Sequence, residues 1–310
     1  METFLHAVAS ATIILLLTAT GYLCAAKGWM GSGAKSFISK FLMTVAIPCM
    51  SIYSFQVNLS REMLGQSVRM LLVGILSCAL DFFLAFLLGK LLRLPRRRLG
   101  IFIMMCAVSN CVFIGLAMCT ELFGSECTPY VMLYWTVSTT FMQLGGVSLV
   151  RWSGEAGGFS AKMLLHFLRT PTILGTLAAI ALVLLDIRLP ALVLSYGRYM
   201  NSLVTPLALL LTGYIIYELG LKNLRIDRTL SAMLLFRFVA APAVCVLFCS
   251  LFGVTGLARS VYVVEAAMPV VTQTVVAAAE YGADEQLAAQ GAAISTLACF
   301  VVTPVLMLLL

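Results

Sequence analysis

The sequence predicts an all-α polytopic membrane protein of ten transmembrane helices in two matched halves of five. Three observations carry that prediction. Ten apolar stretches, each close to the ~20 residues that cross a bilayer core, are separated by nine short polar gaps. Basic residues collect in alternate gaps, as the positive-inside rule requires of successive crossings. Interruptions recur at corresponding places in the two halves: prolines at Pro48 and Pro206, and breaks inside a span at Ser109-Asn110 and Met268-Pro269. Paired interruptions of this kind are the best sequence pointer to a binding site in a membrane carrier.

Composition supports the class. The 310 residues are 62% hydrophobic and 11% charged, against roughly 25% charged in a soluble domain, and mean hydropathy is +1.04. The stretches are continuously apolar rather than alternating, which excludes a transmembrane β-barrel. No gap has room for a soluble domain. The first stretch lacks a basic leading segment and has too long an apolar part for a cleaved secretory signal, so it is expected to remain as a helix.

The spans of the first half are expected at roughly 4–26, 36–56, 66–92, 99–121 and 128–150. Those of the second are expected at roughly 167–186, 190–218, 229–252, 258–280 and 286–309. Span 2 carries Val45-Ala46-Ile47-Pro48, and span 7 carries Leu203-Val204-Thr205-Pro206. An internal proline removes one helical hydrogen bond and bends the rod. Span 3 holds Asp81 among Phe82, Phe83 and Phe86; span 4 is interrupted by Ser109-Asn110 ahead of Gly115. Residues 151–162, with Gly154, Gly157 and Gly158, read as the linker between a first repeat (1–150) and a second (163–310). Span 8 carries Arg237, and span 9 runs from Glu265 through Pro269 to Thr274.

The net charge of +7 reads as topology, not as a nucleic-acid surface. With the N-terminus outside, fifteen cations fall on the cytoplasmic side: Lys27, Lys35, Lys40, Lys90, Arg93, Arg96, Arg97, Arg98, Arg151, Lys162, Arg169, Lys222, Arg225, Arg228 and Arg237. Five (Arg61, Arg69, Arg188, Arg198 and Arg259) fall outside. That places both termini outside and gives the two halves opposite orientation. The Arg96–Arg98 cluster reads as a topology signal, with contact to anionic lipid as the alternative. Eight of ten cysteines lie inside spans, where they act as small hydrophobes. Cys119 and Cys127 flank an outer loop, where a disulfide is the alternative to free thiols. No CxxC or Cys/His ligand pattern occurs, so neither a metal nor another cofactor is expected. His6 and His166 fall near span ends and are expected at the interface.

The chemistry gathers at the two breaks. Ser109, Asn110 and Cys111 sit in mid-span, where polar groups are costly unless they face protein or water. Pro269 interrupts span 9, and Val270, Thr272, Gln273 and Thr274 follow it. If the breaks cross, half-helix N-termini with bare N–H groups suit a carboxylate, and freed carbonyls suit a cation or the substrate's polar end. The alternative is that Asn110 and Gln273 only bond helix to helix. Gly115 and Pro48 complete the expected substrate-binding set. Glu265 and Asp81 are the candidates for ion coupling, because an intramembrane carboxylate is expensive to keep charged. Arg237 is expected either to meet a substrate carboxylate or to extend to the cytoplasmic surface. Glu280 and Asp284 are expected to be solvated in a cytoplasmic turn.

Several of these segments together resemble the auxin efflux carrier family of permeases. They are Gly21-Tyr22 through Lys27-Gly28, Lys40-Phe41 through Pro48, and Ser109-Asn110 through Gly115 with Phe123-Gly124. Arg237 with Pro242, Ala267-Met268-Pro269, Ala279 through Asp284, and Ser295-Thr296-Leu297 complete the set. One position departs: Ala117 stands where the family usually carries a proline. The resemblance implies an inverted 5+5 repeat with broken, crossing helices 4 and 9, similar to that of the bile acid–sodium symporters. It implies a scaffold of helices 1, 2, 6 and 7, a mobile core of helices 3–5 and 8–10, and a homodimer joined through the scaffold. The expected function is secondary transport of a small organic anion, linked to protons or potential, in a plasma membrane, with no enzymatic activity and no nucleic-acid partner. A sodium-coupled symporter is the nearest alternative; a ligand- or lipid-binding membrane sensor is the alternative of another class.

Overall fold

A computed structural model describes residues 2–58, 61–154, 169–220 and 225–308, and its elements are helical throughout. The helices run α1 (Glu2–Ala26), α2 (Ser32–Asn58), α3 (Arg61–Leu91), α4 (Arg96–Ala107), α5 (Cys111–Phe123) and α6 (128–153). They continue with α7 (Pro171–Leu184), α8 (Ala191–Leu219), α9 (Arg228–Leu251), α10 (Gly256–Ala266), α11 (Gln273–Tyr281) and α12 (Glu285–Leu306). Among the described residues no strand occurs beyond one isolated bridge. Lys162, His166 and Lys222, and most of the expected linker, lie outside the described residues. Among the described residues, six helices (α1, α2, α3, α8, α9 and α12) are long and apolar enough to cross a membrane. Leu16, Phe83, Leu192 and Val301 point outward from four of them. Soluble monomers rarely expose apolar faces on this scale, and the protein is a multi-pass membrane protein.

Prolines shape the helices through widened turns. A π-turn at Leu42–Ala46 ends two residues before Pro48, and another at Phe236–Ala240 ends two residues before Pro242. Proline cannot donate to the preceding turn and its ring crowds the carbonyl four residues back; a wider turn moves that carbonyl aside. A third π-turn, Cys111–Gly115, ends two residues before Ala117, so here the wide turn persists without the family's proline. Pro206 behaves differently: it lies inside α8 with no such turn. The two prolines matched in the sequence are therefore not equivalent in backbone geometry.

The helices pack in two sets. α1 lies along α8, and α2 packs on α7 and α8. The α1–α8 contact is backbone to backbone: a Cβ on Gly213 would fall 1.9 Å from the Thr18 carbonyl oxygen, and one on Gly21 would fall 2.1 Å from that of Leu210. Small residues allow this approach where no hydrophobic drive between helices exists. The other set centres on α3, α4, α6 and α9, with α10 packing on α9 and α6, and α12 on α4 and α11.

The Arg96–Arg98 cluster ties helix ends together. Arg96 Nε donates to the Trp152 carbonyl at 2.9 Å, Arg97 donates to the Gly282 carbonyl at 3.1 Å, and Arg98 Nε meets Asp284 Oδ2 at 2.7 Å. Asp284 is thus engaged rather than free in solvent, because Oδ1 also accepts from the Leu287 N–H at 2.9 Å and caps α12. An Asp284→Ala variant loses both bonds and is expected to be less stable by about 1 kcal/mol, read from thermal unfolding in detergent.

Candidate functional site

α4 ends at Ala107 and the chain turns extended at Val108 (φ −113°, ψ 124°), while α10 ends at Ala266 and α11 begins at Gln273. The two gaps face each other. Ser109 and Val270 form an antiparallel bridge, and the Asn110 N–H donates to the Pro269 carbonyl at 2.8 Å. The Val270 N–H donates to Ser295 Oγ on α12 at 3.0 Å. A helix broken in an apolar interior exposes backbone groups that water cannot satisfy. Pairing one break with the other removes part of that cost.

Arg237 removes much of the rest. Its side chain, 1% exposed, leaves the widened turn of α9 and reaches both helix C-termini. Nη1 donates to the Cys106 carbonyl at 2.7 Å, Nε to the Met268 carbonyl at 2.8 Å, and Nη2 to the Ala266 carbonyl. Neither expected role of Arg237 holds: it is buried away from the surface, and its donors point at backbone, not into the cavity.

That cavity, of about 380 Å³, lies between the two helix sets. Ser109, Asn110, Cys111, Thr272 and Gln273 line one wall, so the starts of α5 and α11 both border it. Asn110 is buried, and among the described residues its side-chain amide takes no hydrogen bond. The facing wall comes from Thr44 of α2, Ile173 of α7, and Leu211 and Ile215 of α8. Trp135, Ser138, Thr139 and Gln143 of α6 close the side. Sequence reasoning missed these α6 residues, although a run of hydroxyls followed by a glutamine in mid-span was the available signal. Lys35 lines the cavity and is paired with Glu218, with its ammonium 5.8 Å from the Tyr214 ring centroid.

The other expected site residues stand elsewhere. Pro269 and Val270 hold the bridge with their backbones. Thr274 is fully buried beneath the wall, and among the described residues its hydroxyl has no hydrogen-bond partner. Gly115 faces away from the cavity, toward Glu265: a Cβ there would lie 2.4 Å from the Glu265 carboxylate. Pro48 is not a cavity residue, since its ring packs on Gly175 of α7. Glu265 is fully buried; Oε1 accepts from the Cys119 thiol at 3.5 Å, and among the described residues Oε2 has no hydrogen-bond partner. Asp81 on α3 is also buried, and among the described residues its Oδ1 takes no hydrogen bond. All ten cysteines, Cys119 and Cys127 included, are free thiols.

An apolar helical bundle with two interrupted helices paired beside a part-polar internal cavity defines a membrane transport protein. Comparison with known proteins gives the same class. The family model described as membrane transport protein, that of the auxin efflux carriers, matches residues 6–160 and 158–307, and the chain belongs to this family. An uncharacterized transporter of Methanocaldococcus jannaschii is 24% identical over 294 residues, covering 92% of each chain.

Proposed function

We propose that the protein is a secondary carrier for a small organic anion, bound in the cavity between the helix sets. The observation that carries this reading is the cavity wall itself. Two helix starts, the Asn110 amide and the Gln273 side chain border one space, and helix N-termini favour a carboxylate. The remaining wall, from Trp135, Ile173, Leu211 and Ile215, suits an apolar body attached to that carboxylate. Ten crossings follow if α4 with α5 and α10 with α11 each count as one broken span, which gives the inverted 5+5 arrangement. The packing of α1, α2, α7 and α8 as one set supports a scaffold, with the remaining helices as the moving core of an elevator-type carrier. In this reading two copies join through the scaffold in a plasma membrane, with both termini outside.

Coupling to protons falls to Glu265, directly behind the paired breaks, with Asp81 second. Purified protein is expected to melt higher with a monocarboxylate than without, and the gain is expected to be larger at acidic than at neutral pH, because a ligand held by the folded state raises its stability. Glu265→Gln fixes the group in a neutral form and is expected to make the gain independent of pH. No gain with any mono- or dicarboxylate at either pH, with or without sodium, would remove organic anions from consideration.

A further inference from the structure

We propose that Arg237 is a tethered cation that stands where a mobile coupling ion would bind, at the C-terminal ends of the two broken helices. The inference rests on the carrier reading for its consequence in transport, but its physical basis is independent of any substrate. A helix C-terminus carries partial negative charge and unpaired carbonyls. In broken-helix carriers such ends, with unwound backbone, are what coordinate a cation. Here the ends of α4 and α10 converge, and Cys106, Ala266 and Met268 each direct a carbonyl to the same guanidinium. Three carbonyls around one buried positive charge form the environment a small cation would otherwise need.

Arginine suits this place because its charge is permanent and its donors are held in a planar fork. Lysine would offer one point charge in place of that spread of donors. The fork also settles which polarity remains. With the two negative ends neutralised, the starts of α5 and α11 dominate the field at the cavity wall, and that field favours an anion. A carrier built this way needs no sodium at the paired breaks, since the positive charge moves with the protein.

Thermal unfolding of the purified chain tests the proposal without a transported substrate. Wild type is expected to melt at the same temperature in sodium chloride and in choline chloride of equal ionic strength. A sodium-specific rise would overturn the proposal. Arg237→Ala is expected to melt several degrees lower, and millimolar guanidinium chloride is expected to recover most of that loss while choline chloride recovers none. A variant that melts like wild type, or ignores guanidinium, would overturn it equally. If Arg237→Ala does not fold, Arg237→Gln keeps two N–H donors without the charge. It must then gain more from guanidinium or sodium than from choline, and equal responses would refute the tethered-cation role. Failure of every organic anion to bind would sink the organic-anion reading and leave these results standing.

Discussion

Replacing Asn110 by alanine is expected to abolish anion transport while leaving the protein folded. Asn110 lies between α4 and α5, and its backbone N–H holds the bond to the Pro269 carbonyl, which alanine retains. Its side chain borders the cavity and bonds to nothing else among the described residues, so truncation removes no internal partner. A hydrogen bond from a neutral donor to a charged ligand contributes about 1.5–3 kcal/mol, so ligand affinity is expected to fall by about 10- to 100-fold. The measurement is paired: melting temperature without ligand, expected to match wild type, and the ligand-induced gain, expected to vanish. If Asn110→Ala transports normally, the amide is merely a spacer between helices and the site must lie on the α6 wall instead.

Gly213→Ala is expected to give a large loss of stability at the contact of α1 with α8. The new Cβ would sit 1.9 Å from the Thr18 carbonyl oxygen and 2.6 Å from the Tyr22 nitrogen. Both are backbone atoms, so no side-chain rotation relieves the clash and α1 must move away from α8. Overpacking in a well-packed core costs about 1–3 kcal/mol, and a rigid backbone contact belongs at the top of that range. Gly33→Ala is the control: it also lies in a helix, and a Cβ there meets nothing within 4 Å. It is expected to leave melting unchanged or raise it slightly, since alanine is the better helix former by about 1 kcal/mol. Equal melting of the two variants would mean that α1 and α8 are not clamped as described.

Much of the helix placement is legible in the sequence. Spans expected at roughly 66–92, 190–218, 229–252 and 286–309 correspond to α3, α8, α9 and α12 within a few residues. Continuous apolar runs bounded by charge or glycine leave little choice once the solvent is lipid. The break at Ser109-Asn110 was legible because a polar pair in mid-span has no cheap place in lipid. The break after Ala266 was legible from Pro269. Pro48 was misread for a comparable reason. A proline marks an interruption, but only its neighbours decide whether that interruption opens a cavity or, as here, packs against Gly175.

Arg237 shows the limit most plainly. A lone arginine in an apolar span has a surface reading and a ligand reading, and nothing along the chain separates them. Its partners lie 29 to 131 positions away, at or just past the ends of two other helices, and they are carbonyls that every residue possesses. Backbone acceptors leave no mark in a sequence. The hydroxyls of α6 were visible as letters, but whether they faced lipid, protein or the cavity depended on the rotation of that helix against α2 and α3. The sequence by itself determined the class of protein, the places of the helices and where two of them break, because lipid imposes strong local rules on every residue. Tertiary structure alone decided that the breaks pair, that Arg237 holds both negative ends, and which side chains share the cavity. Those outcomes come from contacts between distant segments, and their energies depend on geometry rather than on composition.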